Sequence, residues 1–255
     1  MKRLLLNLSF LLLTVISLNA QITAYKPGEV LVYTGSYYMS GAWTDLAQIT
    51  MKVNQTSYKG VPLYKLSIIT QTYQEWDSYF KIRDIYQSWI NPKTGLPLLF
   101  SRNVDEGGYK IIVKYSFSRK TNTANVYLKF NKNPERRFKT RITPKTFDMV
   151  SLGYYMRNLD FKGAPVGKVY PMDVLIDGKL HHIKIIYKGT AYVNNKVLGK
   201  VKCYKLGMIL GDARLDNPNN LIYVTADNKK IPVFLKATIP VGNIQARLVK
   251  ATGIK

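Results

Sequence analysis

The sequence predicts a mainly β protein built on one large curved antiparallel sheet, a half-barrel or open barrel, with about two short helices. Several stretches alternate apolar and polar residues with a period of two, which is typical of antiparallel strands with one buried face. Turn residues separate these stretches, and roughly a dozen strands follow one another in hairpins. A sheet of that size normally curls, closes or splits in two.

The first half of the chain supplies the clearest strands. Residues 45–53 alternate cleanly, and the strongest alternation starts at Tyr109, with Tyr115 and Phe117 on its inward side. Gly95 and the pair Gly107-Gly108 mark turns, because glycine tolerates positive φ. The pattern predicts strands at residues 29–39, 45–53, 61–73, 85–90, 96–104, 109–118, 124–130 and 136–143.

Residues 75–84 interrupt this alternation. Trp76, Phe80 and Arg83 recur there at helical spacing, with Tyr79 beside them. The spacing predicts a short helix, and a continuing strand is the alternative.

Residues 147–160 form the second predicted helix, around which the rest of the chain is organised. Asp148 can cap its first turn by accepting a bond from a free backbone N–H. Its apolar stripe consists of Met149, Leu152, Met156 and Leu159, with Tyr155 beside it. A lone short helix is marginal in water, so we expect this stripe to pack on the sheet. The opposite, more polar face carries Ser151, Tyr154, Arg157 and Asn158.

The second half of the chain returns to hairpins. Asp177-Gly178 is a strong two-residue hairpin turn between two apolar stretches. Strands are predicted at residues 169–176, 180–187, 190–194, 196–206, 219–226, 231–239 and 242–249.

The N-terminus has the pattern of a secretory signal peptide. Lys2 and Arg3 precede an apolar run, residues 4–18, and Ala20 is a small residue at the expected cleavage site. A membrane anchor is the alternative, but the run is short and contains polar residues. We therefore expect residues 1–20 to be a signal peptide and residues 21–255 to be a single all-β domain. The mature protein is expected to be exported, soluble and periplasmic.

The charge of the chain restricts its partners. The formal net charge is +23, which falls to +21 when Lys2 and Arg3 leave with the signal peptide. Such a protein is attracted to anionic surfaces. Because an exported protein rarely meets nucleic acid, we expect a lipid or an anionic envelope polymer as partner, with peripheral contact with a membrane surface and no nucleic acid. A solvated basic face without a specific partner is the alternative.

An ordered set of short motifs carries a family resemblance. The set includes Gly28-Glu29-Val30, Phe80-Lys81-Ile82-Arg83-Asp84, Glu106-Gly107-Gly108-Tyr109, residues 148–157, Ile231-Pro232-Val233 and Ala246-Arg247-Leu248. In order and spacing they resemble the exported bacterial proteins of the domain-of-unknown-function 3108 family, especially those of Bacteroidetes-type Gram-negative bacteria. The resemblance covers nearly the whole mature chain. It implies export and a curved sheet similar to the half-barrels of lipoprotein carriers, and it implies no activity.

Catalytic chemistry has little support in the sequence. His181 and His182 are adjacent on one predicted strand and so point to opposite faces, outside any triad pattern. Asp173 and Asp177 bracket a strand, a spacing better explained by turn chemistry than by a metal site. We predict no catalytic residue, metal or cofactor.

Candidate ligand-binding residues lie on or beside the two predicted helices. They could rim a cavity between helix and sheet, or could simply cap and pin the helices to the strands. These residues are Trp76, Phe80, Arg83, Asp84, Asp148, Leu152, Tyr155, Met156 and Arg157. A separate basic patch is predicted on one strand face from Arg137, Lys139 and Arg141.

Three hypotheses on function follow. The first is a non-enzymatic binding or carrier protein for an apolar or anionic envelope ligand such as a lipid. The second is a structural or interaction module that holds to the anionic cell envelope. The third and least favoured is a hydrolase acting on envelope polymers, which would be favoured by a cleft containing two close carboxylates or a histidine beside an acid.

Overall fold

The computed structural model of the chain describes residues 22–209, 211, 217, 219–239 and 242–254. Within them, fifteen strands form a single sheet, which confirms the predicted fold class of one large curved sheet. The strands are β1 (Val30–Met39), β2 (Ala42–Tyr58), β3 (Val61–Thr72), β4 (Arg83–Ile90), β5 (Pro97–Glu106), β6 (Tyr109–Ser118), β7 (Thr123–Phe130), β8 (Arg136–Arg141), β9 (Thr146–Phe147), β10 (Val169–Ile176), β11 (Lys179–Asn195), β12 (Gly199–Ile209), β13 (Leu221–Thr225), β14 (Pro232–Ile239) and β15 (Gly242–Thr252).

The sheet is continuous and open. Its order is β8-β7-β6-β5-β4-β3-β2-β1-β15-β14-β13-β12-β11-β10-β9, so that β8 and the two-residue β9 are its free edges. Every neighbouring pair is antiparallel except β9 with β10, which is parallel. Hairpin connections of this kind keep sequential strands adjacent, as the turn spacing predicts.

The hairpins divide the barrel into two ends. One end carries the β1–β2, β3–β4, β5–β6, β7–β8 and β10–β11 connections. The other end, here called the N-terminal end, carries the segment of residues 22–29 and the β4–β5 and β13–β14 connections. Ile22, Ala24 and Tyr25 are buried in that segment, so it closes the N-terminal end of the barrel.

The β10–β11 turn shows that the sheet curls back on itself. Arg102 Nη2 lies 2.9 Å from Asp177 Oδ1, and Gly178 N donates to Tyr115 Oη at 3.2 Å. Gly178 has φ +77°, and a Cβ there would lie 2.5 Å from the ring of Phe138. Only glycine therefore lets this turn pack against β8.

A helix fills the interior of the curled sheet. Helix α1 (Met149–Tyr155) continues into a 3-10 turn, Met156–Asn158, and is shorter than the predicted 147–160. One side of α1, with Val150 and Tyr154, packs into an apolar cluster lined by β2–β7. The other side, with Leu152 and Met156, packs into a second cluster lined by β10–β13. Because the sheet wraps around it, α1 has no broad wet face.

The more polar face of this helix is buried as well. Ser151, Tyr154 and Arg157 are all buried, with 1%, 0% and 0% of their surface exposed. The sequence pattern shows which side chains of the helix are apolar. Strands can nevertheless cover its polar face as well, when the polar side chains there find hydrogen-bond partners.

The prediction of a helix at residues 75–84 is wrong. The chain forms a short 3-10 turn at Gln74–Trp76, then one α-type turn in which Phe80 N donates to Trp76 O at 2.9 Å, and β4 begins at Arg83. The aromatic side chains at helical spacing are exposed or half-buried instead of packed on the sheet. A helix this short lacks the tertiary packing that would stabilise it.

The predicted signal peptide, residues 1–20, lies outside the described residues. Among those that are described, no helix has the length and apolar content needed to cross a bilayer.

Candidate functional site

The nine predicted ligand-binding residues do not form one site. The structure divides them among a surface loop, a buried carboxyl group on β4 and the filled interior around α1. The predicted basic residues lie on another part of the molecule, the outer face of β8.

Trp76, Phe80 and Arg83 belong to the β3–β4 loop and its junction with β4. The Arg83 guanidinium pairs with both carboxylate oxygens of Asp77, and Arg83 Nη1 donates to Thr72 Oγ1 at 3.0 Å. Trp76 Nε1 donates to the carbonyl oxygen of Asp45 at 3.0 Å, which fastens the loop to β2. Arg83 thus has a partner within its own loop, and the two side chains together line an open pocket of about 470 Å³ at the surface.

Asp84 faces the interior of the barrel and is buried. Loss of solvation raises the pKa of Asp84 well above its usual range, and a hydrogen bond with Glu106 and repulsion from that carboxylate raise it further. Arg102 lies close enough to oppose this shift, but it is also paired with Asp177. Burial and the neighbouring Glu106 carboxylate therefore both favour the protonated form of Asp84.

Asp148 caps α1 from a fully buried position. Its Oδ1 accepts from Val150 N at 2.9 Å and Ser151 N at 2.8 Å, and its Oδ2 accepts from Ser88 Oγ at 2.6 Å. Burial raises the pKa of Asp148 to about 6, although these hydrogen bonds favour its charged form. These contacts fix the start of the helix against β4.

Leu152, Tyr155 and Met156 pack within the second apolar cluster and its border. Leu152 and Met156 are members of the buried cluster, and the Tyr155 ring lies 4.6 Å from that of Phe147. The space expected between this stripe and the sheet is thus occupied by side chains at these positions. The packing favours the pinning interpretation of these residues over a ligand cavity beside the helix.

Arg157 makes the most extensive polar contacts of the interior. Its Nη1 and Nη2 donate to Glu29 Oε1 at 2.6 Å and Oε2 at 2.8 Å, and Nη2 also donates to Ala24 O at 2.9 Å. Its Nε donates to Lys229 O at 3.1 Å. One side chain thus joins the 3-10 turn after α1, the N-terminal segment and the β13–β14 turn.

Arg137, Lys139 and Arg141 lie exposed on the outer face of the edge strand β8. Side chains two residues apart on a strand are about 7 Å apart, so the three form a straight row of positive charges. The same outer surface continues from β8 onto the next two strands. In the strand register, Arg137 lies opposite Tyr127 on β7, and Tyr127 lies opposite Lys114 on β6. We call the outer surface formed by Lys114, Tyr127, Arg137, Lys139 and Arg141 the basic face.

An open groove of about 700 Å³ runs along the basic face. The Tyr127 ring is central to it, with Arg137 Cζ at 4.8 Å and Lys114 Nζ at 5.8 Å from the ring centroid. Glu135 is the acid that pairs with Arg137, at 3.0 Å from Nε, and this hydrogen bond lowers the pKa of the Glu135 carboxyl. The groove is lined by Leu99, Lys114, Tyr115, Ser116, Asn125, Val126, Tyr127, Arg137 and Phe138.

His182 is the one histidine found beside an acid in the described part of the chain. Its Nδ1 lies 2.6 Å from Asp173 Oδ1, and Asp173 Oδ2 accepts from Thr143 Oγ1 at 2.6 Å. Its Nε2 contacts no hydroxyl or thiol group among the described residues, so the pair lacks a nucleophile. Within the same residues, no group of three His, Cys, Asp or Glu side chains is close enough to hold a metal ion.

Sequence reasoning missed the partners more than the residues themselves. Glu29, Asp77 and Glu106 contact predicted site residues but were not predicted as site residues themselves, because each contact depends on the tertiary structure. Lys114 and Tyr127 had a usable signal, since a hairpin between the predicted strands 109–118 and 124–130 places them opposite each other.

Comparisons with known proteins give a family and a fold. The family model of DUF3108, described as a protein of unknown function, matches residues 32–249. No curated protein matches the chain. Among solved structures, the chain is similar to a beta-barrel-like protein of the domain of unknown function DUF1849 from Brucella abortus, with a TM-score of 0.56 and 10% sequence identity. The match covers 88% of this chain and 96% of that one, and at this identity it shows the fold alone.

Proposed function

The chain belongs to the DUF3108 family, whose proteins are of unknown function, and we propose that it is a non-enzymatic binding protein that holds anionic ligands on its basic face. The observation that carries the proposal is the exposed row of Arg137, Lys139 and Arg141 beside Lys114 and Tyr127. The ligand chemistry is a series of phosphate or carboxylate groups, supplied either by an envelope polymer or by lipid head groups.

The spacing of the row supports an extended ligand. Charges about 7 Å apart along β8 match repeated anions on a polymer or neighbouring head groups on a surface. The Tyr127 ring offers an apolar platform between Lys114 and Arg137, where a sugar or glycerol portion can pack. The excess of positive charge over the whole chain, +23, adds long-range attraction.

Protection of a sheet edge explains only part of this face. Charged residues on an edge strand deter pairing with a second copy, and β8 is a free edge. Lys114 and Tyr127 lie on the two strands inside that edge, where such protection is not needed. Ligand binding accounts for all five residues of the basic face.

The proposal includes the cell envelope as the place of action. The signal-peptide pattern of residues 1–20 supports export, and the positive charge suits an environment of anionic lipids and polymers.

A charge-matched pair of variants tests the proposal. Arg137→Gln/Lys139→Gln/Arg141→Gln removes three charges from the basic face, and Lys196→Gln/Lys200→Gln/Lys202→Gln removes three exposed charges elsewhere. Binding is measured by titration with soluble polyphosphate and with vesicles of which about a quarter is phosphatidylglycerol, near physiological ionic strength.

The first variant should weaken binding at least about tenfold, whereas the second should stay close to wild type. Loss with polyphosphate alone identifies a polymer, and loss with vesicles alone identifies lipid head groups. Equal weakening by both variants would reduce the effect to net charge and overturn the proposal.

A further inference from the structure

Six aromatic side chains are grouped at the end of the barrel opposite the N-terminal end. Their elements are neighbours in the sheet: the β1–β2 hairpin, the β3–β4 loop and the β5–β6 turn. Five are exposed, with Tyr79 at 81% and Phe80 at 51%, and Trp76 is partly exposed. We call this surface the aromatic end; its residues are Tyr38, Trp43, Trp76, Tyr79, Phe80 and Tyr109.

The fold holds the most exposed rings in a fixed position. The ion pair between Arg83 and Asp77 closes the base of the β3–β4 loop, and Gly107 N donates to Lys81 O at 2.8 Å. The Phe80 ring lies over Gly107, where a Cβ would be 2.8 Å away. These contacts do not bury Phe80 or Tyr79, so the loop is preorganised with its aromatic tips directed outward.

Exposed positive charges lie at the same end of the molecule. Lys81 is exposed in the β3–β4 loop itself, and Lys129, Lys132 and Arg136 are exposed around the neighbouring β7–β8 turn. Exposed aromatic residues beside a cluster of cations have the composition of a membrane-interface anchor, because Trp and Tyr prefer the boundary between head groups and hydrocarbon.

We propose that the aromatic end docks on a lipid bilayer, with Tyr79 and Phe80 entering the head-group boundary and the adjacent lysines and arginine contacting anionic head groups. The ring edges supply apolar area, and the polar tips of Tyr and Trp remain at the water interface. The inference goes beyond the proposed function, because it rests on different residues at a different place and holds whether the basic face binds a polymer or a lipid.

Vesicle binding tests the inference with a matched control. Tyr79→Ser/Phe80→Ser removes the two most exposed rings of the aromatic end, whereas Val166→Ser/Tyr192→Ser removes two comparably exposed apolar side chains outside it. Co-sedimentation with vesicles of which about a quarter is phosphatidylglycerol should be weakened at least about tenfold by the first variant and unchanged by the second. Thermal melting of both variants confirms that they fold, and Tyr79→Ser alone keeps the Phe80–Gly107 contact intact.

Fluorescence gives a second readout that net charge does not affect. In a Trp43→Phe/Trp89→Phe protein, Trp76 is the remaining tryptophan. Its emission should shift to shorter wavelength on vesicle binding and should be quenched by lipids brominated in the upper acyl chain. At vesicle concentrations that saturate binding, the triple variant of β8 should retain this shift even where it has lost polyphosphate binding, so the two proposals fail separately.

Two outcomes would overturn the docking proposal. One is vesicle binding by Tyr79→Ser/Phe80→Ser equal to that of the control, or bound protein whose Trp76 emission does not change. The other is a wild-type dimer that this variant converts to a monomer without any vesicle binding, which would assign the aromatic end to a second copy of the chain.

Discussion

At the scale of single residues, Arg157 connects distant parts of the chain from a buried position. It is completely buried, and its bidentate partner Glu29 is 128 residues away in sequence. The guanidinium also lies 5.4 Å from the Tyr25 ring centroid and 5.9 Å from that of Tyr154. A buried charge is tolerated only when its partners replace its hydration, and here two carboxylate oxygens, two carbonyls and two rings do so.

Removal of Arg157 alone should destabilise the protein strongly. Arg157→Met leaves the Glu29 carboxylate buried without a counter-charge, and we expect a loss of about 3–5 kcal/mol in the free energy of unfolding. Glu29→Gln/Arg157→Met removes both charges and should lose less. Urea denaturation measures the stability of both variants. The control is Arg247→Met, which breaks the exposed ion pair with Asp45 and is expected to lose no more than about 1 kcal/mol. A double variant as unstable as the single one would refute this account.

Asp84 should make stability depend on pH. Its pKa is raised in the folded protein by burial and by Glu106, so its contribution is fully present below the unfolded pKa and is lost as pH rises through the folded pKa. The amide introduced by Asp84→Asn cannot ionise, so the variant should not lose this stability as pH rises. The stability of the variant relative to wild type should therefore rise from about pH 4 towards neutral pH, by at most about 1.4 kcal/mol per pH unit. Guanidinium melts across this range measure it; a constant difference would show that Asp84 keeps an ordinary pKa.

At the scale of elements, helix α1 acts as the core of the barrel. Its two sides belong to separate apolar clusters, and its start is fixed by reciprocal bonds between Asp148 and Ser151. The β3–β4 loop has the same apolar spacing in sequence but lies at the end of the barrel with its rings exposed. The spacing of apolar residues is thus not sufficient for a helix, and burial between two layers of strands is what stabilises α1.

Three substitutions on α1 should change the free energy of unfolding by amounts that differ in size and sign. Leu152→Ala should cost about 2–5 kcal/mol by opening a cavity in the second cluster. Ser151→Ala should cost about 1–3 kcal/mol, since the buried Asp148 N loses its Ser151 Oγ acceptor at 2.9 Å. Gly153 has open space around its Cα, so Gly153→Ala should stabilise the helix by up to about 1 kcal/mol. Denaturant melts rank the three; a negligible effect of Ser151→Ala would mean that this face of the helix is solvated after all.

At the scale of the whole molecule, distant strands of the open sheet are held together by contacts that involve no strand pairing. The β10–β11 turn reaches β5, β6 and β8 through Asp177 and Gly178, while the edge strands β8 and β9 stay unpaired with each other. The N-terminal segment, residues 22–29, adds further contacts of this kind, because Ile22, Ala24 and Tyr25 are buried at the N-terminal end. These residues directly follow the expected cleavage site.

Cleavage of the signal peptide during export should leave the N-terminal segment, residues 22–29, in place. Mass spectrometry of the cell-envelope fraction is expected to show a mature N-terminus near Gln21, one residue before Ile22. An exported protein that retains Met1 would contradict the signal peptide, and a cut beyond Tyr25 would remove residues that the N-terminal end of the barrel needs.

The sequence by itself determined the features that depend on neighbours along the chain. Alternation specified most of the strands, and Asp177-Gly178 specified its hairpin, because a strand face and a two-residue turn are local properties. The cap at Asp148 is local for the same reason.

Only the tertiary structure decided which faces are buried and which charges are paired. Arg157 was expected on a polar helix face and is instead buried and bound to Glu29, and Asp84 lies beside Glu106. Such pairs join segments that the curl of the sheet brings together, and the same curl leaves the aromatic rings of the β3–β4 loop outside the core. Local periodicity records the apolar character of a side chain, but burial depends on how distant strands close around it.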